Sequence, residues 1–168
     1  MRKGTWKPLS DASKNQNRKR VNDLFMSKKN GYGHDKRLIT IFFQKEAKVF
    51  DYVRSTIQAF GSCIRNDSKI ARMTACNRIV CKEILDALVY DMEILRYTTP
   101  LDDDVELIEI NDDVFNKLND LLYEVSDEGA IELRKLIKYS SLKNDYRYLL
   151  EKIPAKYLRS HENECVDF

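Results

Sequence analysis

Apolar side chains recur at helical intervals along most of the chain. Between about Lys36 and Phe60, Leu38, Ile41, Phe42, Val49, Phe50, Val53, Ile57 and Phe60 recur at spacings of three, four and seven, which predicts one long amphipathic helix. Gly61 is placed to end it. A second stripe passes through Ile70, Met73, Asn77, Val80, Ile84, Leu88, Met92 and Leu95. Asp67 or Ser68 can cap its first free amides, and Thr98-Thr99-Pro100 stops it near residue 97. Asn77, the polar member of that stripe, reads as a hydrogen-bonded core amide.

The stretch Leu101–Ile110 alternates loosely enough to suggest a short edge strand, yet the rest of the chain offers no partner strand, so an extended acidic connector is the expectation. Asn111 then caps a third helix with Asp112 and Asp113 in its first turn, where the helix dipole favours carboxylates. Val114, Phe115, Leu118, Leu121, Leu122 and Val125 are its inward face. Ser126-Asp127 restarts the period through Ala130, Leu133, Leu136 and Ile137, and Asn144-Asp145 restarts it through Tyr146, Leu149, Leu150 and Ile153. Pro154 suits the first turn of a last short helix carrying Tyr157 and Leu158.

Short connections between about five helices, with no internal repeat, predict an all-α fold: a compact bundle carrying a flexible basic N-terminal arm. Residues 1–35 would be the arm, 36–160 the helical domain and 161–168 a C-terminal tail. Within the arm, only Asn17–Lys29 has apolar residues (Val21, Leu24, Phe25) placed for a short helix. Five glycines and three prolines among 168 residues leave little for a turn-rich β-sandwich. No apolar run reaches the roughly 18 residues of a membrane span, and no secretory leader is visible, so an intracellular protein without a membrane partner is expected. Four cysteines in that setting read as thiols.

Charge changes the picture more than composition does. Residues 1–37 hold eleven Lys and Arg against three acids, a net of +8, whereas 100–132 hold twelve acids against Lys117 alone, a net of −11. The overall +2 conceals this polarity. A cationic segment beside a neutral body points to a polyanion or an acidic partner. Arg2, Lys3, Arg18, Lys19, Arg20, Lys28, Lys29, Lys36 and Arg37, interleaved with Trp6, Phe25 and Tyr32, combine phosphate neutralisation with rings on which bases can stack. On the body, Arg65, Lys69, Arg72, Arg78 and Lys82 cluster at the start of the second helix; Arg65, Lys69 and Arg72 would share a face and extend the arm's site. The acidic 102–113 segment could instead compete internally for the arm. Tyr139, Tyr146, Tyr148 and Tyr157, among Lys143, Arg147, Lys152, Lys156 and Arg159, cover the bundle or offer a second contact surface.

Catalytic and metal chemistry find little footing. Asp102, Asp103, Asp104, Glu106 and Glu109 supply oxygen donors, but adjacent aspartates diverge and no calcium-loop glycine is present. His161 and Cys165 are four apart, while Cys76 and Cys81, five apart, do not converge on a helix, and no zinc-finger spacing occurs. His34 and His161 have no nucleophile setting, and Gly31-Tyr32-Gly33 is no phosphate loop. The expectation is therefore a non-enzymatic regulatory or accessory protein with no cofactor and no metal, binding nucleic acid, RNA or single-stranded DNA by preference. Its alternative is a helical adaptor or inhibitor that sequesters a protein partner or self-associates, with the arm used for localisation.

Overall fold

A computed structural model describes residues 10–26, 41–98, 106–139 and 147–159. Its elements in chain order are α1 (Asp11–Met26), α2 (Ala47–Phe60), β1 (Cys63–Ile64), α3 (Asp67–Met73), α4 (Arg78–Asp86), β2 (Leu95–Tyr97), β3 (Leu107–Ile110), α5 (Asp112–Tyr123), α6 (Asp127–Tyr139) and α7 (Arg147–Leu150). A five-residue π-helical segment, Ala87–Asp91, prolongs α4, and a 3-10 turn, Ala155–Tyr157, follows α7. The molecule is mostly helical, as the periodicity predicts. A small antiparallel sheet corrects the all-α expectation.

That sheet has the order β1-β3-β2. Cys63 faces Ile108 and Ile64 faces Leu107 on one side of β3, and Leu95, Arg96 and Tyr97 face Ile110, Glu109 and Ile108 on the other. Leu107–Ile110, expected to be a connector, is thus the central strand, and its partners are strands of two and three residues. Leu107, Ile108 and Ile110 are all buried, and Glu109 is the single polar position of β3.

The long second helix is also corrected, into two. The chain leaves α3 at Thr74, turns through Ala75 at φ +54°, and starts α4 with Asn77, whose side chain accepts the Ile79 amide at 2.7 Å. Asn77 is an exposed cap, not a core amide. Asn66 caps α3 in the same way, accepting Lys69 N–H at 3.0 Å, in place of Asp67 or Ser68. Glu93, at φ +55°, redirects the chain from the π-helical segment into β2.

α2 begins at Ala47, not near Lys36, and ends as expected at Gly61, whose left-handed φ of +82° favours glycine. Val49, Phe50, Val53 and Ile57 form its buried face. Phe60, counted in the apolar stripe, is exposed. α1 lies across this helix inside the segment expected to be a flexible arm. Val21 has no exposed surface, and the Phe25 ring sits 4.8 Å from Phe115 and 6.3 Å from Phe50. Asn17 adds a hydrogen bond to the Gly61 carbonyl at 2.9 Å. α5 and α6 keep the predicted boundaries closely, with Asn111 at the cap position of α5. The strand-like bridge of Val125 to Leu158 and the Arg159 N–H to Glu124 carbonyl bond of 2.8 Å tie residues 154–159 to the α5–α6 junction.

Candidate nucleic-acid interface

α3, the Thr74–Asn77 turn and α4 form a pair of short helices packed together across a tight turn, with α2 and β1 before it and the β2–β3 pair after it. Its inner side is apolar: Ile70 and Ala71 from α3 and Cys81, Ile84 and Leu85 from α4 are buried, continued by Leu88. The outer side carries a different chemistry. Lys69, Arg72 and Met73 on α3, and Arg78, Ile79, Val80, Lys82 and Glu83 on the first two turns of α4, are exposed. Met73 is 60% exposed, Ile79 69% and Val80 40%. Met73 and Val80, assigned to the core stripe from sequence, face out; the buried face of α4 runs through Cys81, Ile84 and Leu85 instead.

Arg65 fixes how this pair of helices meets the sheet. Its guanidinium donates to Asp67 at 3.0 Å, to Asp86 at 2.8 Å and to the Tyr97 hydroxyl at 2.6 Å, and the side chain is only 9% exposed. Burial works against the charged form, but these three partners outweigh it and hold its pKa above the ordinary arginine value. One residue thereby links the start of α3, the end of α4 and strand β2. It cannot also grip a ligand, so Arg65 leaves the predicted contact set.

Asp86 passes this positioning on to Lys82, whose ammonium lies 2.9 Å from the Asp86 carboxylate. Burial pushes Asp86 up, yet hydrogen bonds from Lys82 and Arg65 bring it below the usual carboxylate range. Lys82 is raised by its hydrogen bond to Asp86. If Lys82 moves onto a phosphate, Asp86 keeps Arg65 as its counter-charge, so no carboxylate is left unpaired. Tyr97, beside this group, is pushed up by burial and by its hydrogen bond with Tyr90; Tyr90 itself is exposed, its ring centroid 6.4 Å from that of Tyr97.

The other predicted contact residues divide by place. Arg2, Lys3 and Trp6 lie outside the described residues, as do Lys28, Lys29, Tyr32, Lys36 and Arg37. On α1, Arg18 donates to Asn15 at 2.9 Å, Lys19 is exposed, and Arg20 pairs with Glu109 at 3.1 Å and Asp112 at 3.4 Å. Lys69 and Arg72 share the exposed side of α3 and make no ion pair among the described residues. Arg78 and Lys82, visible in sequence only as neighbouring positive charge, complete the cationic set. Asn77, read from sequence as a core amide, is the cap that marks their helix start.

Among the described residues no three metal-ligating side chains gather, and none of the helices is long and apolar enough to cross a membrane. Asp102, Asp103, Asp104, His161 and Cys165 lie outside the described residues. Cys63 and Cys81 are buried and their thiols pushed up to about 12, mainly by burial, the opposite of what a nucleophile or thiolate ligand needs. The chain matches no protein family, no curated protein and no solved structure.

Proposed function

We propose that this is a non-enzymatic nucleic-acid-binding protein that uses the α3–α4 helix pair, and that its ligand is duplex DNA. The observation that carries this reading is the outward face of α4, where Arg78, Ile79, Val80, Lys82 and Glu83 stand exposed behind a capped helix start, with Lys69 and Arg72 beside them. A helix presented in this way fits the B-DNA major groove, which is wide enough to admit it, whereas the A-form groove of RNA is too narrow. Arg78 and Lys82 suit guanine edges or phosphates, and Ile79 and Val80 suit thymine methyl groups. The expected preference for single strands rests on Trp6 and Tyr32, outside the described residues; the duplex reading rests on the outer face of α3 and α4, which carries no ring on which a base could stack.

A second reading rests on the same face. Met73, Ile79 and Val80 are apolar and exposed together with the cations, as a contact for an acidic protein partner requires. Binding of the full chain to duplex DNA, single-stranded DNA and single-stranded RNA, each across a salt series, separates the two. The DNA reading expects duplex to bind tightest and Arg78→Ala/Lys82→Ala to remove most of that affinity. Equal, weak binding to all three, unchanged by the variant, transfers the face to a protein partner.

A further inference from the structure

We propose that the cleft between the start of α2 and the α3–α4 turn is a binding site for a small organic carboxylate with an apolar body. The cleft encloses about 260 Å3, somewhat below the pockets of roughly 300–1,000 Å3 that hold drug-sized ligands. Its floor is apolar: Val49 and Ile84 line it, at 1% and 3% exposure. Lys45 and Lys48 stand exposed on its lip, and neither makes an ion pair among the described residues.

The acid nearest them in sequence is withdrawn. Glu46 is buried, its carboxylate hydrogen-bonded to Arg134 and accepting the Gln44 amide at 3.3 Å, so it does not neutralise the two ammonium groups. On the opposite wall the Thr74 hydroxyl contacts the Ile70 carbonyl at 2.7 Å and the Cys76 sulfur at 3.3 Å. Ala75, the non-glycine residue held at φ +54°, forms part of that wall; such strain gathers at ligand clamps and switches. Two exposed cations with no acid paired to them among the described residues, set over an apolar floor, match a ligand with one anionic end and a short hydrocarbon or aromatic remainder. A bare phosphate would engage the lysines and leave the floor unused. The site goes beyond the DNA reading and stands without it.

Methyl NMR of the 168-residue chain tests this directly, with the Val49 and Ile84 methyl groups as reporters and benzoate, hexanoate and inorganic phosphate as separate titrants. Benzoate or hexanoate should shift both reporters to saturation with a dissociation constant on the order of 1 mM or tighter, and phosphate should not. Lys45→Gln/Lys48→Gln, two exposed substitutions, should weaken that binding about tenfold or more, equivalent to roughly 1.4 kcal/mol, while unliganded methyl positions elsewhere stay in place. The proposal is overturned if neither carboxylate moves Val49 and Ile84, if phosphate moves them equally well, or if the double variant binds as the parent does. Loss of DNA binding by Arg78→Ala/Lys82→Ala has no bearing on any of these outcomes.

Discussion

Arg20 donates to Glu109 across 3.1 Å, joining two residues 89 positions apart in the chain. Glu109 also accepts from Arg96 of β2 at 2.7 Å, so the central strand gathers a guanidinium from the N-terminal helix and another from its neighbouring strand. The charge of Arg20 is spent on the molecule's own carboxylates. α1 therefore belongs to the body, and under the proposed DNA reading ligand contact falls to α3 and α4.

Val21→Ala should lower unfolding free energy by about 2 kcal/mol, the scale of removing a buried branched side chain, because Val21 is wholly enclosed. Urea denaturation followed by circular dichroism measures it. A loss below about 0.5 kcal/mol, as at an ordinary surface site, would return α1 to the status of a loose appendage.

Gly61→Ala probes the same contact from the other side. At φ +82° an alanine is strained, at about 1–2 kcal/mol, and its added methyl would lie 2.4 Å from Lys14 Cβ and 2.7 Å from Lys14 Cα. The substitution should exceed the conformational cost alone and should loosen α1 preferentially, read as faster amide exchange in 11–26 than in α5. Uniform exchange across both helices would show that the close approach is not what holds α1 down.

Arg65→Met should be more damaging than either, at about 3 kcal/mol or more, since it strands the partners of a largely buried cation. Arg65→Lys should recover little of this: one ammonium cannot reproduce a planar fork directed at Asp67, Asp86 and Tyr97 together. Thermal and urea midpoints of the two variants decide the matter, and full recovery by lysine would reduce Arg65 to a simple counter-charge.

The amino-acid sequence discloses structure where a helix has one wet and one dry side and a chemical stop. α2 has the Val49, Phe50, Val53, Ile57 stripe and Gly61; α5 has Asp112 and Asp113 in its first turn and an apolar inward face interrupted only by Asn119, although Asn111 sits at the cap position without a side-chain cap bond. The sequence misleads where tertiary context sets the structure. The Ile70-to-Leu95 stripe looks continuous because both helices of the α3–α4 pair turn apolar residues toward one core, and Asn77 falls in phase with it although its amide caps a new helix. β3 was hinted at by its loose alternation, and what concealed it was the want of a partner, since Cys63–Ile64 and Leu95–Tyr97 are too short to announce themselves as strands. Of the contact residues, Lys69 and Arg72 were legible as helix-spaced cations; the locking of Arg65 was not, because Asp86 and Tyr97 are distant in sequence.

Acidification should separate two aspartates. Asp86 is held below the usual range, so its contribution is complete above the ordinary aspartate value of about 4 and disappears as pH falls through its depressed folded pKa. Asp112 runs the other way. Burial raises its carboxyl, and Arg20 and Arg96 only partly offset this, so ionisation weakens the fold above the raised pKa and the penalty lifts as pH falls through it. At neutral pH, Asp86→Asn should lower the urea midpoint and Asp112→Asn should leave it unchanged or raise it. The gap between the variants should narrow in acid; a gap that widens there contradicts the assigned directions.

For duplex DNA, each lost phosphate contact should flatten the plot of log affinity against log salt by about 0.9. Lys69→Ala/Arg72→Ala should therefore reduce the slope by up to about 1.8 and weaken all sequences alike. Ile79→Ala should leave the slope intact and weaken sites that set a thymine methyl against α4, by about 1 kcal/mol, the scale of one buried methyl group. An Ile79→Ala protein that binds every duplex as before would remove that residue from base recognition.

Both flanks of the sheet are stubs, β1 of two residues and β2 of three. A foreign strand seeking to add itself there would find at most a few backbone donors and acceptors in line, too few to template growth. The brevity that made these strands hard to foresee also gives the folded protein little purchase for edge-to-edge aggregation.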